Sequence, residues 1–241
     1  MSPSAAPRDP VLLITGASTG IGAASARAAA EAGYRLVLAA RSEDKLTALA
    51  DELGGPDRAL VTPCDVTEMA DNERAVAAAL DGFGRLDAVF ANAGFGAGRG
   101  FLEESPEHWR DMILTNILGV GLTIRASLPH MLSEGRGHYL ITSSIAGRRA
   151  LPGSMYSASK HAVTAMGEAL RSELREMHDP NKVRVTLIEP GMVDTPFFDN
   201  PLEAGTALDG EDIARAVIFA LGQPEHVDVN EILIRPIAQP T

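Results

Sequence analysis

Two hydrophobic patterns alternate along the chain. Short apolar runs recur with little polar interruption, as at 11–15 and 35–40, which suits strands buried on both faces of a parallel sheet. Between them lie longer stretches rich in good helix formers. The pattern predicts strands over 11–15, 35–40, 59–63, 86–91, 138–142, 183–188 and 231–235. Helices are expected over 20–32, 43–53, 68–80, 106–133, 154–177 and 210–221. Ser105 followed by Pro106 marks one helix start, with Ser as N-cap and Pro at the first helical position. Strands alternating with helices imply an α/β fold, a sheet of seven mainly parallel strands with helices on both faces. Residues 1–10 read as a frayed, Pro-containing leader and 11–241 as one domain without repeats or linkers.

Composition removes several function classes. At 241 residues the chain has ample core for one large α/β domain. No uninterrupted apolar run approaches the roughly 20 residues that span a bilayer, so no membrane partner is expected. The net charge of -11 argues against a nucleic-acid partner, which generally demands basic patches to neutralise phosphates. A single cysteine, Cys64, excludes an intrachain disulfide and fits a reducing cytoplasm. The six histidines are scattered without a pair at zinc-ligand spacing, and no metal site is expected.

The chemistry begins with Tyr156 and Lys160, which lie one turn apart on the same face of a predicted helix. A cation held near a phenol favours the phenolate and pulls the phenol's pKa down from about 10, so such a Tyr exchanges protons with a reacting oxygen. At the other end of the chain, the first strand runs into Gly16-Ala17-Ser18-Thr19-Gly20-Ile21-Gly22 and then a helix. Glycines let the backbone approach a ligand and leave helix N-terminal amides free for a pyrophosphate. The spacing differs from the usual dinucleotide fingerprint, and a plain strand-to-helix turn is the alternative. Asn92-Ala93-Gly94 follows the fourth predicted strand, at the carboxyl end where open α/β sheets bind ligands.

Taken together, these motifs resemble the short-chain dehydrogenase/reductase family. Thr15 to Gly22 is similar to its cofactor turn, Asn92-Ala93-Gly94 to the motif closing its fourth strand, and Pro190-Gly191-Met192-Val193-Asp194-Thr195 to its nicotinamide-side loop. The resemblance implies a Rossmann-type doubly wound sheet and a catalytic tetrad of Asn116, Ser144, Tyr156 and Lys160. It implies a nicotinamide cofactor held by Gly16, Ser18, Thr19, Gly20, Ile21 and Gly22, by Asn92, Ala93 and Gly94, and by Pro190, Gly191, Val193 and Thr195. Tyr156 and Lys160 would also touch it, and Asp65 with Val66 would hold its adenine, unless Asp65 simply caps the following helix. Where NAD-dependent relatives carry a carboxylate for the ribose 2′-hydroxyl, this chain has Ala40 and then Arg41, a guanidinium suited to a 2′-phosphate. The expected cofactor is therefore NADP(H), with hydride transfer between a small-molecule ketone or aldehyde and its alcohol. In that reaction Tyr156 is the acid, Ser144 steadies the developing oxyanion, Lys160 binds the ribose hydroxyls and Asn116 links Lys160 to solvent through its carbonyl.

Ser143 competes with Ser144 for the catalytic position. Counting thirteen residues back from Tyr156, as in most relatives, lands on Ser143, whereas the local pattern Ser143-Ser144-Ile145-Ala146-Gly147 favours Ser144. Adjacent strand residues face opposite sides, so one of the two points into the site; Ser144 is the choice, with a one-residue deletion in the loop that follows. The segment 195–208 corresponds to a substrate lid, and Leu151, Met155, Met192, Phe197 and Phe198 would line an apolar pocket. Arg148 and Arg149 would instead favour a carboxylate substrate if they reached it, and the ending 230–236 is similar to that of relatives acting on small hydroxy acids and bicyclic antibiotic aldehydes. Alternatives are a catalytically silent NADP-binding regulator, a small hydroxy-acid dehydrogenase of the same family, and a nucleotide-sugar epimerase, for which too few residues follow Gly191. Apolar residues beyond one helix face, among them Ile113, Ile117, Val120, Leu122, Val163, Met166, Leu170 and Leu174, predict a homodimer or homotetramer.

Overall fold

The protein is described by a computed structural model over residues 9–197 and 205–239. Its strands are β1 (Val11–Thr15), β2 (Arg35–Ala40), β3 (Ala59–Pro63), β4 (Ala88–Ala91), β5 (Arg136–Thr142), β6 (Lys182–Pro190) and β7 (Glu231–Ile234). The helices are α1 (Gly20–Glu31), α2 (Glu43–Glu52), α3 (Met69–Phe83), α4 (Pro106–Ile113), α5 (Val120–Glu134), α6 (Met155–Glu176) and α7 (Gly210–Leu221). The strands form one sheet in the order β3-β2-β1-β4-β5-β6-β7, every pair parallel.

Alternation along the strands divides the core between the two faces. Val89, Tyr139 and Val185 face one side, where Val120 and Ile124 of α5 and Val163 and Leu170 of α6 cover them. Leu12, Ile14 and Phe90 face the other, under Ala26 of α1 and Ile213 and Val217 of α7. This is the Rossmann-type doubly wound sheet, and its strand order reverses between β1 and β4. A crevice therefore opens at their carboxyl ends, flanked by the glycine turn after β1 and by Asn92 after β4.

Several boundaries differ from the sequence pattern by a few residues, and three bear on the site and its surroundings. β4 starts at Ala88 rather than at 86; just before it, the Asp87 carboxylate accepts from the Val11 amide at 2.8 Å and from Arg85 Nε at 2.7 Å. β6 runs on through Pro190 and pairs it with Ile234 of β7. The helix expected over 106–133 is interrupted by a π turn, Leu114–Gly119, that carries Asn116. The whole stretch Pro106–Glu134 is long and apolar enough by composition to cross a membrane. Here that apolar content is spent on core packing, with Met112, Val120, Ile124 and Met131 buried.

Of the leader expected over 1–10, only Asp9 and Pro10 are described. Asp9 pairs with Arg58 and the Pro10 carbonyl accepts from the Arg35 amide, so these two residues are tied to the sheet.

Candidate functional site

The carboxyl edge of the sheet gathers most of the residues singled out by sequence. Gly16 has φ +67° and Gly20 φ +54°, a left-handed region that favours glycine. At Gly22 a Cβ would overlap the Gly16 carbonyl, so α1 leaves the turn only because no side chain is there. The Thr19 side chain makes no capping bond and the first turn of α1 holds no acid. Its leading amides thus lack a side-chain acceptor. Ile21 is half-buried against the core, and Ser18 and Thr19 are half-buried on the turn.

Asn92 staples three strand ends together. Its amide donates to the Thr15 carbonyl at 3.2 Å, its carbonyl oxygen accepts from Thr142 at 3.0 Å, and its backbone N–H bonds Thr15 Oγ1. The Ala93 amide shares that Oγ1, and Gly94 is exposed beside it. Asn92 therefore positions the crevice floor, a job that needs three strand ends in place and is invisible in the local sequence. Val66 is buried beyond β3, its carbonyl accepting from Asn72. The Asp65 carboxylate accepts through Oδ1 from the Thr67 amide at 3.0 Å and hydroxyl at 2.7 Å. Arg41, just past Ala40, is exposed and makes no hydrogen bond or ion pair among the described residues.

Tyr156 lies in the first turn of α6, whose N-cap Ser154 accepts from the Ser157 amide. Burial pushes the phenol up to about 12, a rise partly opposed by the neighbouring Ser144 hydroxyl. Lys160, one turn on and 4% exposed, donates to the Thr142 carbonyl at 2.7 Å, with Nζ 5.8 Å from the Tyr156 ring centre. Burial lowers its pKa to about 8. Burial thus acts on the phenol in the opposite sense to the pull expected of Lys160, and Tyr156 is protonated at neutral pH.

The two serines separate cleanly. Ser143 points at α6, donating to the Lys160 carbonyl at 3.1 Å and lying 2.7 Å from Thr164 Oγ1. Ser144 faces Tyr156; it donates to the Pro190 carbonyl at 3.3 Å and caps the short turn Ile145–Gly147. Asn116 is fully buried; its side chain clasps the backbone of Phe95 in both directions at 3.0 and 2.9 Å and donates to Ser159 Oγ at 3.2 Å. That clasp joins the loop after β4 to α6 beside Lys160. Thr142 and Ser159 thus act in the site through partners that local sequence does not reveal.

The base of the expected lid is pinned at both ends. Val193 bridges to Leu208, with backbone bonds from Asp194 to Leu208 and from Leu208 to Met192. Thr195 packs on Gly20, the Gly191 amide donates to the Ile234 carbonyl, and Gln239 near the carboxyl end accepts from the Met192 amide at 2.9 Å. Gln239 carried no signal in sequence, being 47 residues from its partner. Phe197 sets its ring edge against Tyr156 at 5.6 Å. Leu151, Met155 and Met192 are half-buried; Phe198 lies outside the described residues. Arg148 turns away to a carboxylate cluster, with Nε 2.7 Å from buried Glu189, an ion pair to Glu231, and Glu168 at 3.8 Å.

A sequence model of the family described as short chain dehydrogenase matches residues 10–204. An uncharacterised oxidoreductase of Staphylococcus haemolyticus is 40% identical over 230 residues, spanning 94% of this chain and 97% of that protein. The alcohol dehydrogenase of the archaeon Thermococcus sibiricus, solved with 5-hydroxy-NADP, superposes with a TM-score of 0.87 at 35% identity, covering 96% of this chain and 98% of that one. Serine dehydrogenase from Escherichia coli gives a TM-score of 0.84 at 31% identity, covering 96% and 100%.

Proposed function

From the premise that this chain belongs to the short chain dehydrogenase family of oxidoreductases, we propose that it interconverts a carbonyl compound and its alcohol using NADP(H), with Tyr156 as general acid and base. The observation that carries the proposal is the meeting of Tyr156, Ser144 and Lys160 at the crevice opened by the strand reversal, with the phenol held protonated. NADPH, when bound, supplies the hydride for reduction. Tyr156 delivers the proton to the carbonyl oxygen as charge grows there, and Ser144 donates to the same oxygen. Lys160 at a pKa of about 8 is largely cationic at neutral pH and stabilises the phenolate left behind. Asn116, through Phe95 and Ser159, fixes the loop and the helix that frame Lys160.

The residues present fit the cofactor. The uncapped amides of α1 suit a pyrophosphate, and Arg41 beside Ala40, without a partner among the described residues, suits a 2′-phosphate, in line with the NADP analogue carried by the Thermococcus enzyme. Phe197 against Tyr156 favours an apolar substrate, because its ring lies where a substrate substituent would lie. A small hydroxy acid is the second reading, suggested by the likeness to serine dehydrogenase. Against it, Arg148 is already neutralised by Glu189 and Glu231. The lone buried Cys64, its thiol pushed up to about 12 by burial, supports a reducing cytoplasmic setting.

The test is NADPH consumption across a carbonyl panel. Tyr156→Phe should fold and bind NADPH while turnover falls about 100- to 10,000-fold; near-normal turnover would remove Tyr156 from the mechanism.

A further inference from the structure

Beyond β7 the chain folds back onto the segment that follows β6. Ile234 of β7 pairs with Pro190, and the Gly191 amide donates to the Ile234 carbonyl. Pro236 is buried and its carbonyl accepts from the Gln239 amide at 3.0 Å, a turn that brings the Gln239 side chain over Gly191. A Cβ built at Gly191 would overlap Gln239 Oε1 and collide with Arg235. Gly191 is not among the glycines with a left-handed φ. Glycine is required there by the close approach of the returning chain, not by backbone conformation.

Gln239 Oε1 accepts from the Met192 amide at 2.9 Å. A backbone N–H only donates, so the side-chain oxygen and not its nitrogen must face Met192. On either side of this bond the segment is held by backbone pairing: Gly191 N–H to Ile234, Asp194 N–H to the Leu208 carbonyl, and Leu208 N–H to the Met192 carbonyl. The Met192 N–H lies between these pairings and is satisfied by Gln239. The same six residues, 190–195, join the two halves of the crevice. At one end the Pro190 carbonyl accepts from the Ser144 hydroxyl at 3.3 Å. At the other, Thr195 packs so closely on Gly20 of the glycine turn that a Cβ there would lie 3.1 Å from the Thr195 Cβ. A shift at Met192 therefore bears on the catalytic serine and on the cofactor turn together.

We propose that Gln239 is a positioning residue for the cofactor: its side-chain carbonyl fixes Met192, and through Met192 sets the segment 190–195 against the reacting end of NADP(H). This role, which rests on the NADP(H) reading above, adds to the site a residue 47 positions from its partner in sequence. The bond is between neutral groups, so its loss should weaken cofactor binding about three- to tenfold. The loss should fall on the reacting half of the cofactor. Arg41 follows β2, on the other side of β1 from β6, and the adenosine end held there is out of reach of Met192.

The experiment compares the wild type with Gln239→Ala and with Gln239→Glu, whose carboxylate has the same length and still accepts. Hydrogen exchange at the Met192 amide, followed without cofactor, should quicken at least about fivefold in Gln239→Ala and stay near wild type in Gln239→Glu. Calorimetric titration should show NADPH bound about three- to tenfold more weakly by Gln239→Ala and within about twofold of wild type by Gln239→Glu. Adenosine 2′,5′-bisphosphate, which has no nicotinamide, should bind equally well to every variant. Unchanged exchange at Met192, equal weakening of NADPH and the bisphosphate, or a Gln239→Glu protein as weak as Gln239→Ala would overturn the proposal and leave the NADP(H) reading intact. A wild type that binds no NADPH would overturn that reading, and the proposal with it.

Discussion

At the scale of single residues, the site turns on which way a side chain points. Ser143 and Ser144 are neighbours of identical chemistry, yet one hydroxyl is consumed by α6 and the other faces the phenol. Ser144→Ala should therefore cut turnover about 100-fold or more through loss of an oxyanion donor. Ser143→Ala should leave kcat within a few-fold and cost about 1 kcal/mol of stability for a lost buried hydrogen bond. Steady-state kinetics with denaturant unfolding checks both, and the reverse pattern would restore Ser143. Arg41 carries the cofactor preference proposed above. A charge-assisted contact contributes about 1.5 to 3 kcal/mol, so Arg41→Ala should weaken NADPH binding roughly 10- to 100-fold and barely alter NADH. Equal losses for both cofactors, measured by fluorescence titration, would reject the phosphate contact.

At the scale of elements, the site is assembled by staples between segments. Arg148, on the turn that begins at Ser144, reaches β6 through Glu189 and β7 through Glu231. Glu189 is 1% exposed; burial raises its pKa and Arg148 pulls it back. Removing Arg148 leaves that carboxylate buried without its nearest cation, so Arg148→Ala should destabilise the fold by about 3 kcal/mol near neutral pH. The sign with pH follows from linkage. A carboxylate whose folded pKa is raised binds its proton more tightly when folded, so stability falls as pH climbs from the ordinary carboxylate range through the folded value. In Arg148→Ala that value rises further, and the deficit should shrink as the pH is lowered towards about 5. Denaturant unfolding of both proteins at several pH values measures this; a deficit independent of pH would mean Glu189 is not the group left exposed to the loss. Phe197 shows a related dependence on an element's shape, since a Cβ on Gly96 would collide with its ring.

At the scale of the whole molecule, α4 to α6 cover one face of the sheet and still present apolar residues outward. Val120, Val163, Leu170 and Leu174 are core, whereas Leu114 and Leu118 are 36% and 44% exposed and Met166 is half-buried. We propose that this outer face packs against a second copy of the chain, as a dimer or within a tetramer. Leu118→Glu should then shift the protein to monomer at micromolar concentration while leaving its circular dichroism unchanged. A wild-type monomer in sedimentation at that concentration would refute the interface. Strands from both halves of the chain share a single sheet, which supports the proposal that 11–241 is one domain.

Sequence by itself determined the alternation of strands and helices, because burial on two faces demands uninterrupted apolar runs and that demand is local. It also pointed to Tyr156, Lys160 and the glycine turn, whose chemistry depends on spacing of a few residues. The helix over 106–133 was legible, but composition does not reveal the π turn within it, where the Asn116 side chain bonds Phe95 and Ser159. Only the tertiary structure decided that Asn92 serves three strand ends and that Arg148 faces Glu189 rather than the crevice. The burial that raises the Tyr156 phenol belongs here too, because desolvation depends on what covers the phenol from distant parts of the chain, and no local spacing carries that information.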